Sequence, residues 1–160
     1  MVAILDLVMR TLHSVTAALW AGSVLFLTLG LLPSALDGAL NANPMESIVG
    51  RFRWVTRASS VVLFVTGGHL AGTLYTIGDS GGVSLFGSAR GHLVLAMLAL
   101  WLVLTGLCEV GASKLADGFS EKKVRAPAAD AKPFLYGASL AAVALLVVAV
   151  LIVYGGGTVY

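Results

Sequence analysis

The chain holds three histidines, His13, His69 and His92, each inside a long run of apolar residues. Ionisable side chains are costly to hold in hydrocarbon, so they mark candidate functional sites. Two chemistries suit imidazoles placed this way. With a thioether they make a soft donor set that favours Cu(I) over hard cations. Met9, four residues before His13 and about 40° from it on a helix, supplies the sulfur. Alternatively, two imidazoles on different helices can ligate the iron of a b-type haem, given a backbone slot for the porphyrin. Glycines stand where such a slot is needed: Gly67, Gly68 and Gly72 around His69, Gly91 beside His92, and Gly22 just past Trp20. Gly68 and Gly72 are spaced to admit a neighbouring helix or a flat ligand. Trp20, seven residues after His13 on the same stripe, is the expected floor of the cavity. The plainer alternative is that each ring packs inside and hydrogen-bonds a carbonyl or water. No Ser–His–acid set, phosphate-binding glycine loop or metal-spaced cysteine pair is present, so an enzyme is not the expected class.

The elements that carry these residues follow from composition. Of 160 residues, 58% are hydrophobic and 11% charged, and the mean hydropathy is +0.95. A soluble domain carries roughly a quarter charged residues. Eight acids and ten bases are too few to cover a globule, which excludes a soluble enzyme, a disordered tail and a nucleic-acid-binding module. The apolar residues gather into four runs, about 4–32, 54–77, 86–114 and 134–155, each near the ~20 residues that cross a bilayer. A backbone in lipid must satisfy its own hydrogen bonds, so runs of this length mean helices. The expectation is an all-α integral membrane protein: a four-helix antiparallel bundle, one membrane domain over residues 1–160. The first run lacks a basic leader and a small-residue cleavage site, so it reads as a retained helix rather than a signal peptide. The single cysteine, Cys108, lies inside the third run and reads as core.

Charge sets the expected orientation. Eight of the ten bases fall in two places: Arg51, Arg53 and Arg57 just before and at the start of the second run, and Lys114, Lys122, Lys123, Arg125 and Lys132 from the end of the third run to the fourth. Only Arg10 and Arg90 lie on the other side. The positive-inside rule then puts the basic connections in the cytoplasm and both termini outside the plasma membrane. On this topology His13, His69 and His92 lie about 13, 12 and 8 Å from the outer ends of their helices. All three fall in the outer half of a ~30 Å core. Their common depth is the reason to expect one cavity lined by His13, His69, His92 and Met9. Arg57 and Glu109, near the cytoplasmic ends of their helices, are a candidate structural ion pair, with snorkelling the simpler reading. Asp6 and Arg10 have the spacing of a local helical pair. Trp54, Tyr75 and Tyr154 fit an interfacial belt. The stretch from Leu115 to Lys132 reads as a mobile polar loop. Four helices enclose little pathway, so a homodimer or larger membrane complex is expected. The partner is the bilayer, not nucleic acid. A structural subunit using its glycine faces for packing is a further alternative.

The run Leu12-His13-Ser14-Val15-Thr16-Ala17-Ala18-Leu19-Trp20-Ala21-Gly22 resembles the first-helix signature of the copper resistance protein D family: a histidine, a tryptophan seven residues on, and a glycine two beyond. Similar pieces follow in order: Arg51 to Arg57, Thr66-Gly67-Gly68, and Gly91-His92-Leu93, so the resemblance covers about residues 8–110. It implies a protein concerned with copper passage across the inner membrane, in a family whose full members have more helices. The first helix is also similar to that of the four-helix, haem-b-binding protoporphyrinogen oxidase family, which His13, Trp20 and Gly22 match. His92 stands nearest to where many of those relatives carry a lysine. Copper, bound or transported, is the cargo these resemblances imply first. The alternative is haem b, serving electron transfer or quinol or porphyrinogen oxidation.

Overall fold

The apolar runs fold as helices. In the computed structural model, which describes residues 2–76 and 83–154, α1 (Val2–Leu25) passes through a π-helical stretch (Phe26–Leu31) into the short α2 (Leu32–Leu36). Three long helices follow: α3 (Ala42–Leu74), α4 (Ala89–Ser120) and α5 (Arg125–Tyr154). Pro33 is accommodated because it stands in the first turn of α2, where its missing N–H would have no intrahelical partner. Between α3 and α4, β1 (Tyr75–Thr76) and β2 (Val83–Ser84) form a two-residue parallel pairing. The expected end of the second run at Ile77 and that of the fourth at Gly155 lie outside the described residues.

Three helical stretches are long and apolar enough to cross a membrane: Ala3–Leu36, Ala89–Ser120 and Arg125–Tyr154. α3 is long enough at 33 residues, but Arg57, Ser59, Ser60, Thr66 and His69 dilute its hydropathy. It nevertheless runs antiparallel along α1, pairing Asp6 with His69, His13 with Thr66 and Trp20 with Thr56. It therefore traverses the same layer. The long helices form a ring in which α1 meets α3, α3 meets α4, α4 meets α5, and α5 closes on α1. The protein is an all-α, multi-pass membrane bundle.

Helix limits differ from those the hydropathy suggested. α3 starts at Ala42 rather than near 54, α4 continues to Ser120, and α5 begins at Arg125 rather than near 134. The supposed loop from Leu115 to Lys132 is mostly helix, leaving only Glu121–Val124 as a turn. Hydropathy reports fitness for lipid, whereas the segments on either side of the turn carry five alanines and three lysines between Leu115 and Lys132, good helix formers in water. Their polar side chains form one face, while Leu115, Phe119, Pro127, Ala128 and Ala131 are buried on the other. A Cβ on Gly118 would collide with the Pro127 ring, so this glycine sets how closely α4 and α5 meet. Lys122, at φ 60°, takes the left-handed conformation that ends α4. Beside it the Lys123 ammonium, 2.8 Å from Glu121, holds that carboxyl below the usual carboxylate range. On the neighbouring turn Gly38, at φ 72°, lies against Arg125, whose guanidinium donates to the Asp37 carbonyl at 2.7 Å.

Burial is uneven along the bundle. Trp20, Val24, Leu32, Val49, Leu104, Leu115, Phe119 and Leu135 are buried at the end bearing the Asp37–Asn41 and Glu121–Val124 turns, here the basic end. Towards the opposite, histidine end, Ile4, Leu7, Val15, Val65, Leu98, Val147 and Val153 are exposed. The stretch Ala3–Leu36 is about 51 Å long, well beyond the ~30 Å hydrocarbon core. The charged basic end therefore projects into water. Water drives apolar faces together there, whereas lipid tails exert no such drive between helices.

Candidate functional site

On α1, Asp6, Met9, His13 and Trp20 share one stripe at i, i+3, i+7 and i+14. This stripe faces α3. His13 Nδ1 lies 2.8 Å from Thr66 Oγ1, and the Thr66 hydroxyl donates to the Val62 carbonyl at 2.7 Å. With its proton committed, the threonine oxygen can only accept from the ring. A neutral His13 thus carries its proton on Nδ1 and leaves Nε2 as a bare lone pair. His69 Nε2 lies 3.0 Å from Asp6 Oδ1. An ionised carboxylate only accepts, so a neutral His69 carries its proton on Nε2 and leaves Nδ1 bare. Each ring has one nitrogen fixed by a protein partner and the other unprotonated, as in metal-ligating histidines.

The remaining expected residues have varied surroundings. Met9 is half-buried on the same stripe. Trp20 is fully buried, and its indole N–H donates to Thr56 Oγ1 at 3.3 Å. His92, in the first turn of α4, is exposed, and its ring makes no hydrogen bond among the described residues. The His13 and His69 rings thus both lie on the α1–α3 seam, and the His92 ring is exposed on α4. Among the described residues, no group of three His, Cys, Asp or Glu side chains is placed to hold an ion. The glycines do not enclose one slot. A Cβ on Gly67 would lie 3.2 Å from His13 Cε1, so the imidazole occupies that space. The space beside Gly91 is taken by the backbone of Leu85. Gly22, Gly68 and Gly72 are exposed, with nothing within 4 Å of an added Cβ.

Arg57 and Glu109 do meet, in a two-pronged pair with Nε–Oε1 2.8 Å and Nη2–Oε2 3.0 Å tying α3 to α4. Asp6 turns to His69 across the seam rather than to Arg10. Cys108 is sealed in the core. At the histidine end burial pushes the Tyr75 phenol up, opposed by the nearby Arg90 and Arg10. The ring partners that sequence reasoning passed over are Asp6 and Thr66. Both had a signal: Asp6 stands seven residues before His13, and Thr66 three before His69.

No curated protein and no solved structure matches the chain. A family model described as copper resistance protein D matches residues 46–156. That span takes in most of α3 and all of α4 and α5, with His69 and His92, and begins after His13, Trp20 and Gly22. The match covers more than half of a chain that folds as a membrane helix bundle, and the chain belongs to the copper resistance protein D family.

Proposed function

We propose that this chain is a copper-binding membrane protein whose cargo, Cu(I), is taken by His13 Nε2, His69 Nδ1 and the Met9 thioether at the histidine end. The observation that carries this reading is the pair of fixed imidazoles: Thr66 and Asp6 each hold one ring nitrogen and leave the other bare. The family supports copper over other metals that imidazole suits, and a thioether favours the monovalent ion. His92 stands outside this set because it is exposed and its ring has no hydrogen-bond partner among the described residues to orient it. Below the site the bundle is closed by Trp20, Leu104 and Cys108, all fully buried. Passage of an ion therefore requires these helices to separate, and binding is the function of the closed form.

The test is a Cu(I) titration of the purified protein against a chromophoric chelator. One equivalent should bind. His13→Ala and His69→Ala should each abolish tight binding. Thr66→Val and Asp6→Asn should weaken it by about 10- to 100-fold, the usual effect of losing a group that orients a metal-bound histidine. His92→Ala should leave it unchanged. Affinity indifferent to both His13 and His69 would sink the proposal. A Soret band retained through purification would replace it with the haem reading.

A further inference from the structure

The seam between α1 and α3 opens on its lipid-facing side into two neighbouring cavities, and neither touches His13 or His69. One, of about 190 Å³, is lined by Ser23, Phe26, Leu27, Leu31, Ile48 and Arg51. The next, of about 180 Å³, is lined by Leu19, Trp54, Ala58 and Val62. Both include Val55, so they form one groove. Its wall follows from the π-helical stretch, where the Phe26 ring lies 3.3 Å from where a Gly30 Cβ would be. Phe26 itself is exposed and stands as a rim.

We infer that this groove binds one acyl chain of an anionic phospholipid from the leaflet at the basic end, with the phosphate held by Arg51. Length, chemistry and charge agree. Arg51, Val55, Ala58 and Val62 follow one face of α3 at i, i+4, i+7 and i+11, a run of about 16 Å. That is half of a ~30 Å hydrocarbon core, the depth of one leaflet. Trp54, 71% exposed, stands one turn from Arg51, where an aromatic anchor meets the headgroups. Apart from Arg51 the groove is lined by apolar or small uncharged residues, and Arg51 has no ion pair among the described residues. Lys122, by contrast, is matched to Glu46, and Arg57 to Glu109. In its basic-end half the groove thus carries an unmatched positive charge on an otherwise apolar wall, which suits an anionic lipid better than a neutral one or a second copy of this chain.

The experiment uses the full chain in neutral phosphatidylcholine nanodiscs carrying a small fraction of brominated lipid. A Trp101→Phe background leaves Trp54 in the groove wall as the lipid-accessible reporter, with Trp20 sealed in the core. Brominated phosphatidylglycerol should quench Trp54 at about fivefold lower mole fraction than brominated phosphatidylcholine, the factor one arginine contributes near an anionic surface. Arg51→Gln should abolish that preference. Arg53→Gln, at the same level but outside the groove, should keep it. Ala58→Leu, which fills the slot, should reduce the preferential quenching. Equal quenching by both lipids, or a preference that survives Arg51→Gln, overturns the inference. So does efficient disulfide formation between copies carrying Val55→Cys, because a second chain would then occupy the groove.

Discussion

The proposed copper chemistry depends on which nitrogen of each imidazole is protonated, and two neighbouring side chains decide that. Thr66 fixes His13 because its own hydroxyl proton is spent on the Val62 carbonyl. Asp6 fixes His69 because an ionised carboxylate has no proton to give. Gly67 supplies the room for the His13 ring. Gly67→Ala therefore separates site from scaffold. Alanine is the better helix former by about 1 kcal/mol, so thermal stability should hold or rise. The new methyl would crowd the ring and disturb its 2.8 Å bond to Thr66, so Cu(I) affinity should fall about tenfold, within the range for orienting groups. A chelator-competition titration beside a melting curve checks both, and unchanged affinity would show that the ring position does not matter. The three histidines were legible in the sequence as rare polar groups in apolar runs. The common depth expected for them could not have found their partners, because depth does not fix the angle about the helix axis. The ring partners are set across the seam by α1–α3 packing, and a local i,i+4 rule pointed Asp6 towards Arg10 instead.

Helices were legible wherever residues were apolar and illegible where they were not. Hydropathy saw neither the start of α3 from Ala42 nor the stretches on either side of the Glu121–Val124 turn, because these helices project beyond the lipid and carry charge. Their registration comes from contacts between elements. At Gly118 the helix α4 has no Cβ because the Pro127 ring of α5 lies against it, whereas Gly106 on the same helix has nothing within 4 Å. The two glycines make a matched pair. Gly118→Ala should destabilise the α4–α5 hairpin by about 1–3 kcal/mol, the range for overpacking a closed contact. Gly106→Ala should be neutral or gain up to about 1 kcal/mol from helix propensity. Thermal melting of both variants in detergent tests this, and equal effects would mean that the hairpin approach does not depend on Gly118.

Across the whole molecule, the buried core and the paired histidines sit at opposite ends. The basic end buries its apolar side chains against one another, while the histidine end leaves many of them for the lipid. A bilayer solvates leucine nearly as well as another leucine does, so packing between helices gains little there. The divided core leaves the α1–α3 seam around His13 and His69 less constrained than the closed region below Trp20. That is a suitable place for an ion to enter without unfolding the bundle. The division predicts how like substitutions differ along one helix. Leu115 on α4 is 1% exposed and Leu98 on the same helix is 46% exposed. Leu115→Ala should cost about 2–5 kcal/mol, the range for emptying a buried leucine site that cannot collapse. Leu98→Ala should stay within about 0.5 kcal/mol, as surface changes do, because lipid or detergent fills the gap. Melting temperatures of the two variants in the same detergent decide the matter. A Leu98→Ala loss as large as that of Leu115→Ala would mean that protein, not lipid, packs against the histidine end.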